Sequence, residues 1–143
     1  MIKNYSKNVQ TTLDILQDEV RGDWKSALKK LHDDYTMTWV YKSVKNKKLF
    51  PSTGDFVRYE LKDVYQIKGR KYDIKNIAEA GDLVMVELVE SYPDAKTKKV
   101  YRTPLVLVLE FKDGKTVTGR HYCDPQISYL HLSEEEIEKV YKK

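Results

Sequence analysis

Apolar residues in the first part of the chain recur every three or four positions, which is the spacing of one helix face. Between residues 9 and 20 they lie at Val9, Leu13, Leu16 and Val20. Gly22 is a typical stop for this helix, and Asp23 can cap a short second one. Asp55 can likewise cap a third helix, over residues 55–68. The pattern therefore predicts three N-terminal helices.

The spacing then changes to the alternation of half-buried strands, with a period of two. Strands are predicted over 35–41, 71–80, 82–92, 100–112 and 115–123. Asp113 and Gly114 form a strong hairpin signal between the last two. Ser133, followed by three glutamates, predicts a capped C-terminal helix over about 133–143. This order favours an α+β domain, with helices packed on a curved, mainly antiparallel sheet.

Composition is that of one soluble domain spanning 1–143, with its core at about 9–124: of 143 residues, 41% are hydrophobic and 34% charged. The single cysteine, Cys123, excludes an internal disulfide, and the polar first residues predict a cytoplasmic location. No apolar run approaches the roughly 18 residues of a membrane span. We therefore expect no membrane partner.

Charge adds little to this picture, because 26 basic and 22 acidic residues leave a net charge of +4. The densest basic runs, 45–48 and 96–99, lie in predicted loops and are interpreted as solvated. Without a docking motif, no nucleic-acid partner is expected. We expect no metal and no cofactor, because paired short spacings are absent from the candidate ligands His32, His121, Cys123 and His131.

Both faces of the strand at 105–109 are apolar, since its five residues alternate leucine and valine. One face of an antiparallel sheet is normally free to be polar. The second face therefore needs a cover, which predicts a homodimer through the sheet unless the C-terminal helix folds back over it.

Several stretches resemble one known family: "PSTG" before the third helix, "AEAGDLVMVEL", and above all "LVLEFKDGKTVTGRHYCDP". They are similar to the SnoaL-like branch of the nuclear transport factor 2-like superfamily, which includes ketosteroid isomerase-like proteins. The resemblance covers roughly residues 9–124. It implies a cystatin-like cone around an apolar pocket, often in a homodimer, on a scaffold that hosts isomerases, cyclases, epoxide hydrolases and non-enzymatic binders. Such a fold does not define one chemistry.

The resemblance makes Asp124 the first candidate for a catalytic base, because related epoxide hydrolases use the acid of their Tyr-x-Asp ending. An aspartate before proline can equally serve as a turn residue. His121 is the alternative proton carrier. Alternation puts Arg120, Tyr122 and Asp124 on one side of the strand and His121 and Cys123 on the other. We expect Asp124 and Tyr122 at the pocket.

A ring-binding pocket is suggested by the aromatic content, with 11 Tyr, 3 Phe and 2 Trp. The same rings would serve equally well as plain core. Related epoxide hydrolases use an Arg-x-Asp pair, but this chain has Arg102-Thr103-Pro104, which keeps the arginine and loses the acid. The predicted pocket lining is Tyr35, Trp39, Tyr41, Phe56, Tyr59, Arg102, Arg120 and Tyr122.

Three functions remain open from the sequence. One is a pocket protein that binds an apolar or ring-shaped small molecule. Another is a lyase, isomerase or cyclase that uses Asp124 or His121 as acid or base. The last is a non-enzymatic, dimeric protein-interaction module. A Cys123–His121 nucleophile pair is a weaker enzyme hypothesis, because no partner acid or oxyanion donor is evident.

Overall fold

A computed structural model describes residues 4–53 and 66–142 of the chain. In this part, helix α1 spans Lys7–Arg21, helix α2 spans Trp24–Leu28, and the C-terminal helix spans Glu134–Tyr141. These helices confirm the first, second and last that the sequence predicts. The predicted third helix, which we expected across the concave face of the sheet, lies outside the described residues except for its last three positions.

The helix ends carry the predicted caps. Gly22 adopts a φ of 72° after α1, a left-handed conformation that glycine takes without strain. The Asp23 side chain accepts a hydrogen bond from the backbone of Ser26 and so begins α2. Ser133 and Glu136 form a reciprocal capping box at the start of the C-terminal helix.

Five strands form one mixed sheet in the order β1-β5-β4-β3-β2. Their bounds are Leu31–Trp39 for β1, Lys71–Ala80 for β2, Leu83–Pro93 for β3, Val100–Lys112 for β4 and Lys115–Tyr122 for β5. Strand β1 pairs with β5 in parallel, and the other pairs are antiparallel. The α+β class and the mainly antiparallel sheet are thus confirmed.

Strand β1 begins four residues earlier than the sequence indicates. Asp33 and Asp34 precede the strand predicted over 35–41, yet both lie within β1. A register irregularity between Leu31 and Thr36 accommodates them, and both aspartates are exposed. Polar residues at a strand irregularity look like a helix end, which explains the error.

The inner face of the sheet carries the core and packs against α1. Val84, Val86 and Leu88 of β3 are fully buried. They pair with Leu109, Leu107 and Leu105 of β4, respectively. Val9 and Leu16 of α1 complete the cluster. At about 25 cal/mol per Å² of buried apolar surface, these contacts are the main stabilisation of the fold.

The outer face is partly covered by the C-terminal helix, as the sequence allowed. Ile137 is buried beside Val89. Arg102 fixes the approach to this helix, since its Nη1 donates a hydrogen bond of 2.7 Å to the carbonyl oxygen of Leu132. Among the described residues, none of the helices is long and apolar enough to cross a membrane.

Candidate functional site

An aromatic wall forms on the inner face where β1 meets β5. Trp39 and His121 are register partners, with ring centroids 6.3 Å apart. His121 also pairs with Leu107, whose side chain belongs to the core, so the imidazole faces inward. The wall continues with Tyr41, which lies near Cys123. We call Trp39, Tyr41 and His121 the aromatic wall.

The His121 imidazole is held neutral. Burial lowers its pKa to about 4, because a charged ring would lose its hydration. Its Nδ1 atom is buried and bonds to no other residue in the described part of the chain, while a weak contact of the ring with the backbone of His121 itself offsets part of the effect of burial on the pKa. A buried polar atom without a partner is rare in folded proteins and marks a place where a further group can bind.

Cys123 lies next to the wall as a protonated thiol. Burial raises its pKa above the usual value, and this effect exceeds that of the contact between Cys123 Sγ and Ser128 Oγ, at 3.5 Å. A reactive cysteine needs the opposite shift, towards the thiolate. Residues 4–53 and 66–142 therefore supply no activation for the Cys123–His121 pair.

A second, polar group of side chains lies on the same inner face. Tyr72 of β2 pairs with Glu90 of β3, and the Tyr72 hydroxyl donates a hydrogen bond to the carboxylate of Glu19 on α1. Arg70 is only 5% exposed, and its Nε lies 3.5 Å from Oε2 of Glu90. We call Glu19, Arg70, Tyr72 and Glu90 the polar cluster.

Burial also perturbs the acid–base properties of this cluster. It raises the pKa of Tyr72 well above its usual value, and the nearby charges of Glu19 and Glu90 raise it further. Tyr35 of β1 behaves similarly, because burial and then the charge of Glu19 raise its pKa. Titratable groups that are buried and coupled in this way concentrate at functional sites.

The wall and the cluster belong to one interior. The charge of Glu90 contributes to the raised pKa of Cys123, after the effect of burial. Glu19 influences both Tyr35 on β1 and Tyr72 on β2, the two strands at opposite edges of the sheet. The curved sheet therefore brings aromatic and charged side chains together beneath α1.

The sequence contained a signal for the polar cluster that its analysis missed. Glu19 follows Leu16 by three positions, so it continues the buried face of α1. Glu90 continues the inward parity of Val84, Val86 and Leu88 along β3. A charged residue that continues a row of buried apolar residues is therefore a candidate site residue.

The predicted Asp124 group lies apart from the aromatic wall. Arg120 and Tyr122 pair with Val108 and Val106, so their side chains are on the outer face. Asp124 is exposed, and its Oδ1 accepts a hydrogen bond of 2.9 Å from the backbone of Gln126, as in an Asx turn. Arg120 Nη1 lies 3.4 Å from Oε1 of Glu110. The structure thus groups these residues at the outer face and the strand end.

The other predicted lining residues divide into three sets. Tyr35, Trp39 and Tyr41 lie with the inner groups described above. Arg102 lies on the outer face, where it contacts the segment before the C-terminal helix, and its Nη2 is 3.6 Å from Oε1 of Glu134. Phe56 and Tyr59 lie outside the described residues. Within the ranges 4–53 and 66–142, three or more histidine, cysteine or acidic side chains do not gather in a metal-binding geometry.

Solved structures with this architecture are numerous, whereas no protein-family model and no curated protein matches the sequence. A candidate isomerase from Bacillus subtilis is 18% identical, with a TM-score of 0.72 over 88% of this chain and 92% of that one. A candidate polyketide cyclase from Acidithiobacillus ferrooxidans is 12% identical, with a TM-score of 0.71 over 90% and 95%. An LEH-like epoxide hydrolase from M. tuberculosis is 19% identical, with a TM-score of 0.66 over 94% and 95%.

These similarities define the fold. The chain has the cone fold of the nuclear transport factor 2-like proteins, which SnoaL-like polyketide cyclases share. The family resemblance noted in the sequence is thereby confirmed at the level of the fold. Identities below 20% in the structures compared above leave the chemistry to be argued from the site itself.

Proposed function

We propose that this protein binds an apolar or ring-shaped small molecule between the aromatic wall and the polar cluster. The observation that supports this most directly is the buried Nδ1 of His121 beside the ring of Trp39, without a hydrogen-bond partner in the described residues. Pockets for small molecules combine an apolar lining with a few polar groups that fix orientation.

The two groups divide the recognition between them. Rings of the aromatic wall would stack on a flat ligand, and the neutral imidazole would exchange one hydrogen bond with it. The carboxylates, guanidinium and hydroxyls of the polar cluster would hold a hydroxyl or carbonyl group at the other end. Such a ligand is apolar along its body and polar at its ends.

The neutral fluorophore N-phenyl-1-naphthylamine is a suitable probe, because it carries aromatic rings and no charge. We expect saturable binding and energy transfer from Trp39, the tryptophan that remains in Trp24→Phe. Trp39→Phe, which retains Trp24 of α2, should show weak transfer. Trp39→Ala should weaken binding about tenfold, since it removes a stacking surface. If Trp39→Ala binds the probe with unchanged affinity and Trp24→Phe shows no energy transfer from Trp39, the binding site lies elsewhere.

An acid–base enzyme is the second candidate function, and the neutral state of His121 favours it. With a pKa of about 4, the imidazole is unprotonated at neutral pH and its Nδ1 is free of partners among the described residues. A general base needs these two properties, although a low pKa makes it a weak one. Asp124 remains the rival candidate, and its carboxylate is exposed.

Epoxides and enolisable polycyclic ketones are the substrates to screen, because similar folds include an epoxide hydrolase and a candidate isomerase. If His121 is the base, His121→Gln should lower turnover at least a hundredfold while probe binding changes less than twofold. Asp124→Asn is the matched variant that tests Asp124, the rival candidate for the base. Loss of turnover in Asp124→Asn, with His121→Gln unaffected, would assign the chemistry to Asp124 instead.

A further inference from the structure

A short hairpin follows β1 at one end of the sheet, and its backbone is well fixed. We call residues 42–50 the basic hairpin. Lys42 and Leu49 form an antiparallel bridge. Ser43 donates a backbone hydrogen bond of 2.8 Å to Lys48, and Phe50 donates one of 2.9 Å to Tyr41. The hairpin therefore presents its side chains in a defined arrangement.

Positive and apolar side chains are both exposed on this hairpin. The apolar ones are Val44, Leu49 and Phe50, at 44%, 61% and 52% exposure. The exposed lysines are Lys42, Lys45, Lys47 and Lys48. No acidic residue occurs between positions 35 and 54, so the hairpin itself carries four positive and no negative side chains. An exposed apolar cluster within a positive field is a mark of an interaction surface.

Backbone conformation also fixes this hairpin. Lys47 and Phe50 adopt φ values of 61° and 48°, which are left-handed conformations that non-glycine residues rarely take. Lys98 and Asp113 adopt similar values in other turns, so this conformation defines the shape of the turn and does not by itself mark a site. Here they hold a phenylalanine in water at the base of the hairpin.

The apolar surface continues onto a neighbouring turn. Tyr129 and Leu130 follow β5 and are 61% and 48% exposed. Tyr129 lies near Tyr41, because its charge contributes to the raised pKa of Tyr41 after burial and Cys123. Tyr41 in turn accepts the backbone hydrogen bond of Phe50. Hairpin and turn therefore lie at the same end of the sheet, next to the aromatic wall.

We propose that the basic hairpin docks this protein on the surface of an anionic lipid bilayer. The lysines would lie at the level of the headgroups, and Leu49 and Phe50 would enter the boundary with the acyl chains. Our expectation of no membrane partner came from the lack of a long apolar run, which concerns spanning and has no bearing on surface binding.

A bilayer suits this surface better than a nucleic acid does. Nucleic-acid contacts favour arginine, whose planar guanidinium pairs with phosphate in two places, but the hairpin carries lysine alone. Bases can stack on Phe50 and Tyr129, but Val44, Leu49 and Leu130 offer nothing to stack on, whereas lipid tails accept all five residues. The pairing of point charges with aliphatic groups is typical of interfacial segments.

Co-sedimentation with lipid vesicles tests the proposal without knowledge of any pocket ligand. We expect binding to vesicles of phosphatidylcholine with one third phosphatidylserine, and at least tenfold weaker binding to phosphatidylcholine alone. Each headgroup-facing lysine contributes about fivefold. Lys45→Gln, Lys47→Gln and Lys48→Gln together should therefore lower the affinity about a hundredfold. Leu49→Ser with Phe50→Ser should abolish the binding that persists at high salt.

The loop at 95–99 provides the matched control. Lys96, Lys98 and Lys99 are also exposed, but none of their immediate neighbours is an exposed large apolar residue. Changing these three to glutamine removes the same charge and should lower the affinity less than threefold. Equal losses in the two triple variants would overturn the proposal, since they would indicate non-specific attraction. Binding to a single-stranded oligonucleotide but to none of the vesicles, lost in the hairpin variant, would identify a nucleic-acid surface.

Discussion

His121 shows how one buried side chain can make stability depend on pH. In the unfolded chain its imidazole takes up a proton near pH 6.5, whereas in the folded protein its pKa is about 4. Between these values the unfolded state binds more protons, so protonation favours unfolding. The contribution of neutral His121 to the free energy of unfolding is therefore fully present above pH 6.5 and is lost as the pH falls to about 4.

We therefore expect the free energy of unfolding to decrease by up to about 3 kcal/mol between pH 6.5 and pH 4 through this residue. Urea denaturation across this range measures the decrease. His121→Phe should show a smaller decrease, because its ring does not titrate. An NMR titration of the imidazole with a midpoint above 6 would contradict the proposed environment.

Packing on the inner face also leaves no room for a side chain at Gly119. It pairs with Met37 of β1, and a Cβ placed on it would lie 2.7 Å from Met37 Cε and 3.3 Å from Leu109 Cδ2. We expect Gly119→Ala to lower the free energy of unfolding by about 1–3 kcal/mol, as overpacking does.

A double-mutant cycle checks the cause of this loss. Met37→Ala removes the side chain that the new methyl group would strike, so the double variant should lose less than the sum of the two single ones. Chemical denaturation of the four proteins measures the coupling, which we expect to be about 1 kcal/mol. Additive losses would mean that the backbone, and not Met37, sets the requirement for glycine.

At the level of single residues, the candidate site was predictable from the sequence only in part. Alternation correctly separated His121 from Tyr122, but it could not say which of them faces inward. The family resemblance drew attention to Asp124, and the charges at Glu19 and Glu90 were passed over because each interrupts an apolar pattern. Burial of a charge depends on partners distant in the chain, such as Arg70, which no local pattern reveals.

Among the elements, the joint between α1, α2 and β1 depends on one carboxylate. Asp18 is 1% exposed and binds Lys30 Nζ at 2.6 Å and Arg21 Nη2 at 2.8 Å. Burial alone would raise the pKa of Asp18, but hydrogen bonds from Lys30, Arg21 and Ser26 bring it below the usual value. The pair thus ties the end of α1 to the residue that precedes β1.

Asp18→Asn should destabilise the protein by about 3 kcal/mol, because it leaves Lys30 poorly solvated and without its counter-charge. Lys30→Met added to Asp18→Asn should recover part of the loss. Thermal denaturation measures both. The control is Asp14→Asn on the same helix, where the carboxylate accepts an exposed hydrogen bond from Gln10, and the expected loss is below about 0.5 kcal/mol. Similar losses at the two positions would rule out a special role for the joint.

Element bounds were the most predictable part of the fold. Repeating apolar spacing located α1 and β2 to β5 to within one or two residues, since a helix or strand of eight or more residues repeats its signal several times. The start of β1 was less accurate. It lies where Asp33 and Asp34 interrupt the pattern, and the pairing that makes them part of a strand comes from β5.

For the whole molecule, the outer face of the sheet predicts self-association. Met85 and Tyr122 are 37% and 41% exposed there, beside the half-buried Val106 and Val108. The C-terminal helix covers the region around Val89. An apolar patch of this kind on a sheet typically pairs with a second copy of itself.

We expect analytical ultracentrifugation to report twice the chain mass, and Val108→Glu to yield a monomer, because it places a charge in the patch. Val20→Glu puts the same change on the exposed surface of α1, on the opposite side of the sheet, and should leave the dimer intact. If the wild-type protein is a monomer at micromolar concentration, the C-terminal helix alone is sufficient to cover the outer face of the sheet.

The parallel pairing of β1 with β5 has a consequence for biosynthesis. Leu31 pairs with Thr116, which is synthesised about 85 residues later, so that side of β1 lacks its partner until then. At about 5–20 residues per second the delay is about 4–17 s, during which the edge of the strand is unpaired. Nascent chains that stall before Lys115 should therefore be held by chaperones. Folding of the cone should therefore follow the release of β5 from the exit tunnel.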